Sequence, residues 1–366
     1  MLSSIVALSM LIQAPTIAAS AAVSSESAVA AVAENHAPAW KTLATLPFTW
    51  IHDLSFASGK VGFAAAENGL VLKTVDGGEN WTPVLNLGYP YYWNGVQALN
   101  GNDVVITGFF NDPNNPQALI RWSHDGGATW SDDLVLGGAA PQWVDKVHFW
   151  NDSLGFTTSI IEPVVAYRTT SGGLQPTDWS ASVIDSSANA GWFGTQFSAL
   201  PNGHVRISGI TFCESLDFAA SWQCRPSIDA GSDWATFFLD DKRGWVGGGW
   251  ISEPMTGYVH LTKDGGKTWS ERTLEGPWMI HSIIFVDHKN GWAAGGAGDA
   301  GGVYVSDDGG ESWKVELDAG VGLQVCATAD YHIFCAGWDN STNSHIYSRD
   351  FDHIKHDNFD GTSVVQ

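Results

Sequence analysis

The sequence predicts an all-β chain folded as a seven-bladed β-propeller of four-stranded blades, closed by an N-terminal strand that completes the last blade. Three observations carry that prediction. A glycine-rich, tryptophan-terminated stretch recurs about every 46 residues, and self-similarity at such a period marks an array of supersecondary units. Short apolar strands flank each copy, four per repeat, which is the make-up of a propeller blade. The composition agrees: 41 of 366 residues are glycine and only 15% are charged, which suits tight turns and strands and not long solvated helices.

The repeat is read in order along the chain. Its full copies are Thr74-Val75-Asp76-Gly77-Gly78-Glu79-Asn80-Trp81, Ser123-His124-Asp125-Gly126-Gly127-Ala128-Thr129-Trp130, Thr262-Lys263-Asp264-Gly265-Gly266-Lys267-Thr268-Trp269 and Ser306-Asp307-Asp308-Gly309-Gly310-Glu311-Ser312-Trp313. Asp125 and Asp264 lie 139 positions apart, which leaves room for two worn copies between them. Thr170-Ser171-Gly172-Gly173, running on to Trp179, and Ser215-Leu216-Asp217, running on to Trp222, fill those places. Ser348-Arg349-Asp350-Phe351 is a seventh, without a following tryptophan. Trp40-Lys41-Thr42-Leu43 reads like the strand after a copy, as in Trp313-Lys314-Val315-Glu316, so the N-terminus is expected to supply the outer strand of the last blade and remove an open sheet edge. The Asp accepts backbone N–H bonds in a tight turn and the glycines allow positive φ. Asp76, Asp125, Asp217, Asp264, Asp308 and Asp350 are therefore assigned structural and not catalytic roles.

These stretches resemble the Asp-box, or BNR repeat, and the whole pattern, with Gly-aromatic strands such as Gly62-Phe63-Ala64, Gly244-Trp245-Val246 and Gly291-Trp292-Ala293, is similar to the photosystem II stability and assembly factor-like family. That resemblance implies a seven-bladed propeller and a role in assembly or binding. Members in phototrophs are described as using an arginine-rich surface, whereas this chain carries seven arginines. Sialidases share the Asp-box, but their three convergent arginines are not matched here.

The domain reading runs from a secretory signal peptide at 1–22 and a spacer at 23–37 to the propeller at 38–356 and a loose tail at 357–366. The leader rests on the apolar run Met1 to Ile12 and the small residues Ala18 to Ala22. Four cysteines fall into two close pairs, and the spacing predicts cross-strand disulfides Cys213–Cys224 and Cys326–Cys335, compatible with an oxidising compartment. The protein is expected to be secreted, or alternatively to sit in an organellar lumen, as a monomer.

A balance of 17 Lys plus Arg against 39 Asp plus Glu, net −22, argues against nucleic acid as a partner. No apolar run after the N-terminus reaches the roughly 20 residues of a membrane helix. The first strand of each blade lines the channel, and its start carries Trp50, Trp93, Trp143, Trp192, Trp234 and Trp278, with Gly322-Leu323-Gln324 in the seventh blade. Rings at the channel mouth would suit sugar faces or apolar peptide side chains. Asp53, Asp145 and His281, with His52 nearby, complete the candidate ligand site, and a rim of Glu67, Asp112, Glu162, Glu253, Asp299 and Asp339 surrounds it. None of these groups forms a recognisable acid/base pair by spacing, no metal-ligand pattern occurs, and no cofactor is implied. The leading expectation is a non-enzymatic propeller that binds a glycan or protein on this face. A glycoside hydrolase or polysaccharide lyase is the alternative, and a photosystem II assembly factor-like protein the second.

Overall fold

The computed structural model describes residues 39–137, 143–159, 163–185, 196–209, 211–226, 232–250, 256–274, 276 and 278–351. The expected leader, spacer and C-terminal tail, and Trp192, Glu162 and Glu253, lie outside those residues. The described chain forms seven antiparallel four-stranded sheets. One 3-10 turn, Pro176–Asp178, is the only helix among the described residues.

Each blade runs a to d from the channel outward. The inner a strands are Ile51–Phe56, Tyr91–Ala98, Val144–Phe149, Phe197–Ala199, Ser232–Phe238, Ile280–Phe285 and Gly322–Ala329. In blade 7 the strands Gly322–Ala329, His332–Trp338 and Ser344–Asp350 are completed by Lys41–Leu46, which pairs antiparallel with Ser344–Asp350 from Lys41↔Ser348 to Leu46↔Ser344. Trp40 flanks that strand, and its indole N–H donates to Glu316 on the outer strand of blade 6 at 2.9 Å.

The core lies between neighbouring blades. Phe63, Ala65 and Val71 of blade 1 pack against Trp93, Val96, Val104 and Ile106 of blade 2 in one buried cluster. The glycine that opens strand b has a steric origin: Phe56, Phe149, Phe238 and Phe285 end strand a, and a Cβ on the facing Gly62, Gly155, Gly244 or Gly291 would come within 2.4–2.5 Å of the ring.

The full boxes repeat the bonds among the Ser/Thr hydroxyl, the Asp carboxylate and the turn N–H groups, while the indole bond to the second glycine occurs in the first and third. In the first, Gly78 N donates to Thr74 Oγ1 at 2.9 Å, Asn80 N to Asp76 Oδ1 at 3.0 Å, and the Trp81 indole to Gly78 O at 2.9 Å. The side-chain amide of Asn80, with its N–H, holds the Asp76 carboxyl below its ordinary range, and the hydroxyl and N–H of Thr129 and Thr268 lower Asp125 and Asp264 to about 2. Blade 4 keeps the bonds of Asp217 to Ser215 and Ser221 but places Phe218 and Ala219 at the left-handed turn positions, φ 58° and 59°. Asp350 differs from the box expectation: it ends strand c of blade 7, and its carboxylate pairs with His332 across the b–c hairpin at 2.7 Å. Two boxes are braced by an arginine of the preceding blade, for Arg168 donates to Phe218 O and Arg225 to Gly266 O.

Both disulfides are formed. Cys213 faces Cys224 across strands c and d of blade 4, and Cys326 faces Cys335 across strands a and b of blade 7, each with Cα atoms 4.1 Å apart.

Candidate functional site

A β-bulge interrupts the start of strand a in six blades and decides which side chains reach the channel mouth. The paired position before it holds Ile51, Trp93, Val144, Asp233, Ile280 and Leu323. These six are buried. The residue that follows them, His52, Asn94, Asp145, Trp234, His281 and Gln324, falls in the bulge. A bulge leaves one residue out of the ladder and re-aims its side chain. Four of the six, His52, Asn94, Asp145 and Gln324, line one pocket at the mouth, on the face of the d–a and b–c loops.

The predicted ring of tryptophans therefore divides. Trp93 is 0% exposed and packs between blades 1 and 2, so it is a core residue and not a ligand platform. Trp234 stands edge-on to His281 with ring centres 5.6 Å apart, and Trp278 packs on Tyr304 and beside Gly302 in the blade 6 core. Trp50 and Trp143 both immediately precede strand a and stay half-buried near the mouth. Trp50 stacks on Trp338, 5.5 Å between centres and 10° between planes. Trp143 stacks on Phe109, which stacks in turn on Tyr92.

The pocket has a volume of about 370 Å³ and is walled by Trp143, Phe109, Tyr92 and Trp338. Its polar groups are His52, Glu67, Asn94, Asn111, Asp145 and Gln324. His52 Nε2 lies 3.7 Å from Glu67, an ion pair when the ring is protonated. Asp145 is 6% exposed, and no hydrogen bond among the described residues ends on its carboxylate. Burial lifts its carboxyl to about 7, with Asp53 adding to the rise and Lys146 opposing it. Tyr92 is raised by burial and then by Glu67.

Below the mouth the channel is closed by side chains. Lys146 of blade 3 bonds the Asp53 carboxylate and His52 O of blade 1. Gln196 reaches both the N–H and the C=O of Ile283 in blade 6. Asp53 also accepts Val96 N at 2.8 Å, so it is held as a tie within the ring, with burial raising its carboxyl. His281 faces this closed channel. Its Nε2 is 3.0 Å from Gly296 O, and burial lowers it to about 4. Neither residue joins Asp145 in the mouth pocket. The acidic rim is likewise uneven: Glu67 enters the pocket, whereas Asp299 binds Asn340 and Asp339 is bound by Ser341, Asn343 and His345. Among the described residues no group of three His, Cys, Asp or Glu is placed to hold a metal ion.

Sequence reasoning missed Trp338, Tyr92, Phe109, Asn94 and Gln324. One signal was available for Trp338. Blade 7, which has no tryptophan at the start of strand a, carries one at the end of strand b, and it stacks on Trp50.

A model of the BNR/Asp-box repeat matches residues 304–315, which span the box turn of blade 6. The chain is a seven-bladed propeller that carries a BNR/Asp-box repeat. No curated protein sequence matches this propeller. Two solved structures share its fold: YCF48 bound to D1 peptide, at 19% identity and TM-score 0.64 over 86% of this chain and 97% of that one, and YCF48 from Cyanidioschyzon merolae, at 21% and 0.65 over 85% and 99%. At such identities the likeness speaks for the fold.

Proposed function

We propose that this propeller is a non-enzymatic binding and assembly protein that takes a segment of a protein partner in the aromatic pocket at its channel mouth. The observation that carries this reading is the pocket itself: four aromatic walls around a buried carboxylate, at the outer end of a channel that Lys146, Asp53 and Gln196 close beneath it. Its volume, near the lower end of the roughly 300–1,000 Å³ of ligand sites, suits one or two side chains of an extended segment. One fold neighbour, YCF48, is bound to a D1 peptide, which favours the assembly-factor alternative over the glycan expectation. The two disulfides suit an oxidising compartment, outside the cell or in an organellar lumen, and no helix among the described residues is long and apolar enough to cross a membrane.

The test is selection of a displayed peptide library on the full chain, with a glycan array beside it. Enriched peptides should lose about 10- to 100-fold in affinity on Trp143→Ala, the loss of roughly 1–3 kcal/mol of apolar contact. Melting should change by no more than a few degrees. Glycan binding without peptide enrichment would overturn the reading.

A further inference from the structure

The acidic and aromatic groups of the pocket specify the chemistry of its occupant. We infer that the channel-mouth pocket is a receptor for a basic side chain, ammonium or guanidinium, whose charge meets Asp145 and whose stem lies along Trp143 and Tyr92. The inference rests on the proposed binding role and adds the class of residue recognised.

Two independent features point the same way. Asp145 is nine-tenths buried, lines the pocket, and receives no hydrogen bond from any described residue. A buried polar group ordinarily has a partner, and a buried carboxylate without one is an acceptor waiting for a donor brought by a ligand. Around it stand aromatic rings, which attract a cation over their faces, and Glu67, whose carboxylate adds negative charge at the rim. Lys146 does not fill this role. Its ammonium is engaged by Asp53 and the His52 carbonyl in the channel. A net charge of −22 would steer basic segments toward the surface from a distance. An acidic partner side chain would meet Asp145 and Glu67 with like charge, and a purely apolar one would leave Asp145 unpaired.

The groups that face Asp145 are Lys146 and Asp53 from the inner strands, with His52, Glu67 and Tyr92 around the pocket. A cation binds the ionised carboxylate, which predominates above pH of about 7. Affinity should therefore rise about tenfold from pH 6 to pH 8, following the ionised fraction. The contribution of the carboxylate is isolated with Asp145→Asn.

The experiment uses the full chain and three small probes: N-acetyl-lysine methylamide, its norleucine counterpart and its glutamate counterpart, with binding followed by ligand-observed NMR. The lysine probe should bind at least tenfold more tightly than norleucine, and glutamate should not bind. Asp145→Asn should lose at least tenfold for lysine and leave norleucine unchanged. Its melting temperature serves as the check on folding, and Glu67→Gln, at the partly buried rim, should lose a smaller factor. Norleucine binding as tightly as lysine, or lysine binding unaltered by Asp145→Asn, would overturn the inference. Library peptides that depend on Trp143 but show no basic residue would also overturn it and leave the proposed function standing. Lysine binding with no peptide enrichment would support the pocket's chemistry and count against the proposed function.

Discussion

Asp145 carries a stability cost that a structural role does not explain. Burial raises its carboxyl from 3.8 to about 7, so between those values the folded chain holds a proton that the unfolded chain has released. Folding stability then falls as pH rises from about 4 through about 7, and the penalty is fully present at pH 8. Asp145→Asn removes the charge with little change of shape. It should leave stability almost unchanged at pH 3, below both values, and raise it at pH 8, by about 1–3 kcal/mol once access of water to the pocket is allowed for. Thermal melts of both proteins at the two pH values check this, and equal shifts at both would show that Asp145 is not held neutral. The same residue shows how far the site could be read in the sequence. Asp145, Trp50 and Trp143 were legible as neighbours of the strand start. Trp93 was not, because a strand alternates faces and a bulge adds one residue to the count. Placed one step further along than Trp50 and Trp143, Trp93 takes the position of Ile51 and Val144, which points into the core. Residues that look equivalent in a repeat alignment thus part by a single place in register.

At the scale of the blade, the box hairpin of blade 4 departs from the others, and the departure has a physical consequence. Glycines occupy the positive-φ turn in the full boxes, whereas Phe218 and Ala219 adopt φ 58° and 59° there, a region disfavoured for residues with a Cβ. The same hairpin carries the Cys213–Cys224 bond across its strands. The disulfide closes a short loop and limits the unfolded chain, which offsets the strain of the turn. Ala219→Gly should stabilise the oxidised protein by about 0.5–1 kcal/mol through relief of the turn. It should recover part of the roughly 3 kcal/mol lost when both cysteines become alanine. Denaturant melts of the single, double and triple variants test this, and a destabilising Ala219→Gly would show that the buried methyl of Ala219 matters more than its backbone. The worn copy was visible in the sequence through Asp217 and Trp222. The strained turn was not, since propensity alone gives no sign that a non-glycine residue will be held at positive φ by its neighbours.

The ring as a whole depends on one junction. Blades 1 to 6 are each built from consecutive strands, but blade 7 takes its outer strand, Lys41–Leu46, from the other end of the chain. Glu316 on blade 6 reinforces that junction by accepting the indole N–H of Trp40 and of Trp292 and pairing with Arg349 on strand c of blade 7 at 2.9 Å. One mostly buried carboxylate thus ties the incoming chain end, its own blade and the closing blade. Glu316→Ala removes the acceptor these three donors share and should cost about 2–4 kcal/mol, a fall of roughly 3–6 °C in a domain of this size. Deleting Lys41–Leu46 should do more than lower the melting point. It exposes the edge of Ser344–Asp350, and an unpaired strand edge recruits other chains, so the truncated protein should self-associate. A synthetic peptide spanning Trp40 to Leu46, added in trans, should pair with that edge and restore the monodisperse species, as in strand addition elsewhere. Light scattering and melting of the truncated chain with and without the peptide separate the two effects. A truncated chain that stays monodisperse and melts within about 2 °C of the full one would mean that the N-terminal strand decorates blade 7 and does not close the ring.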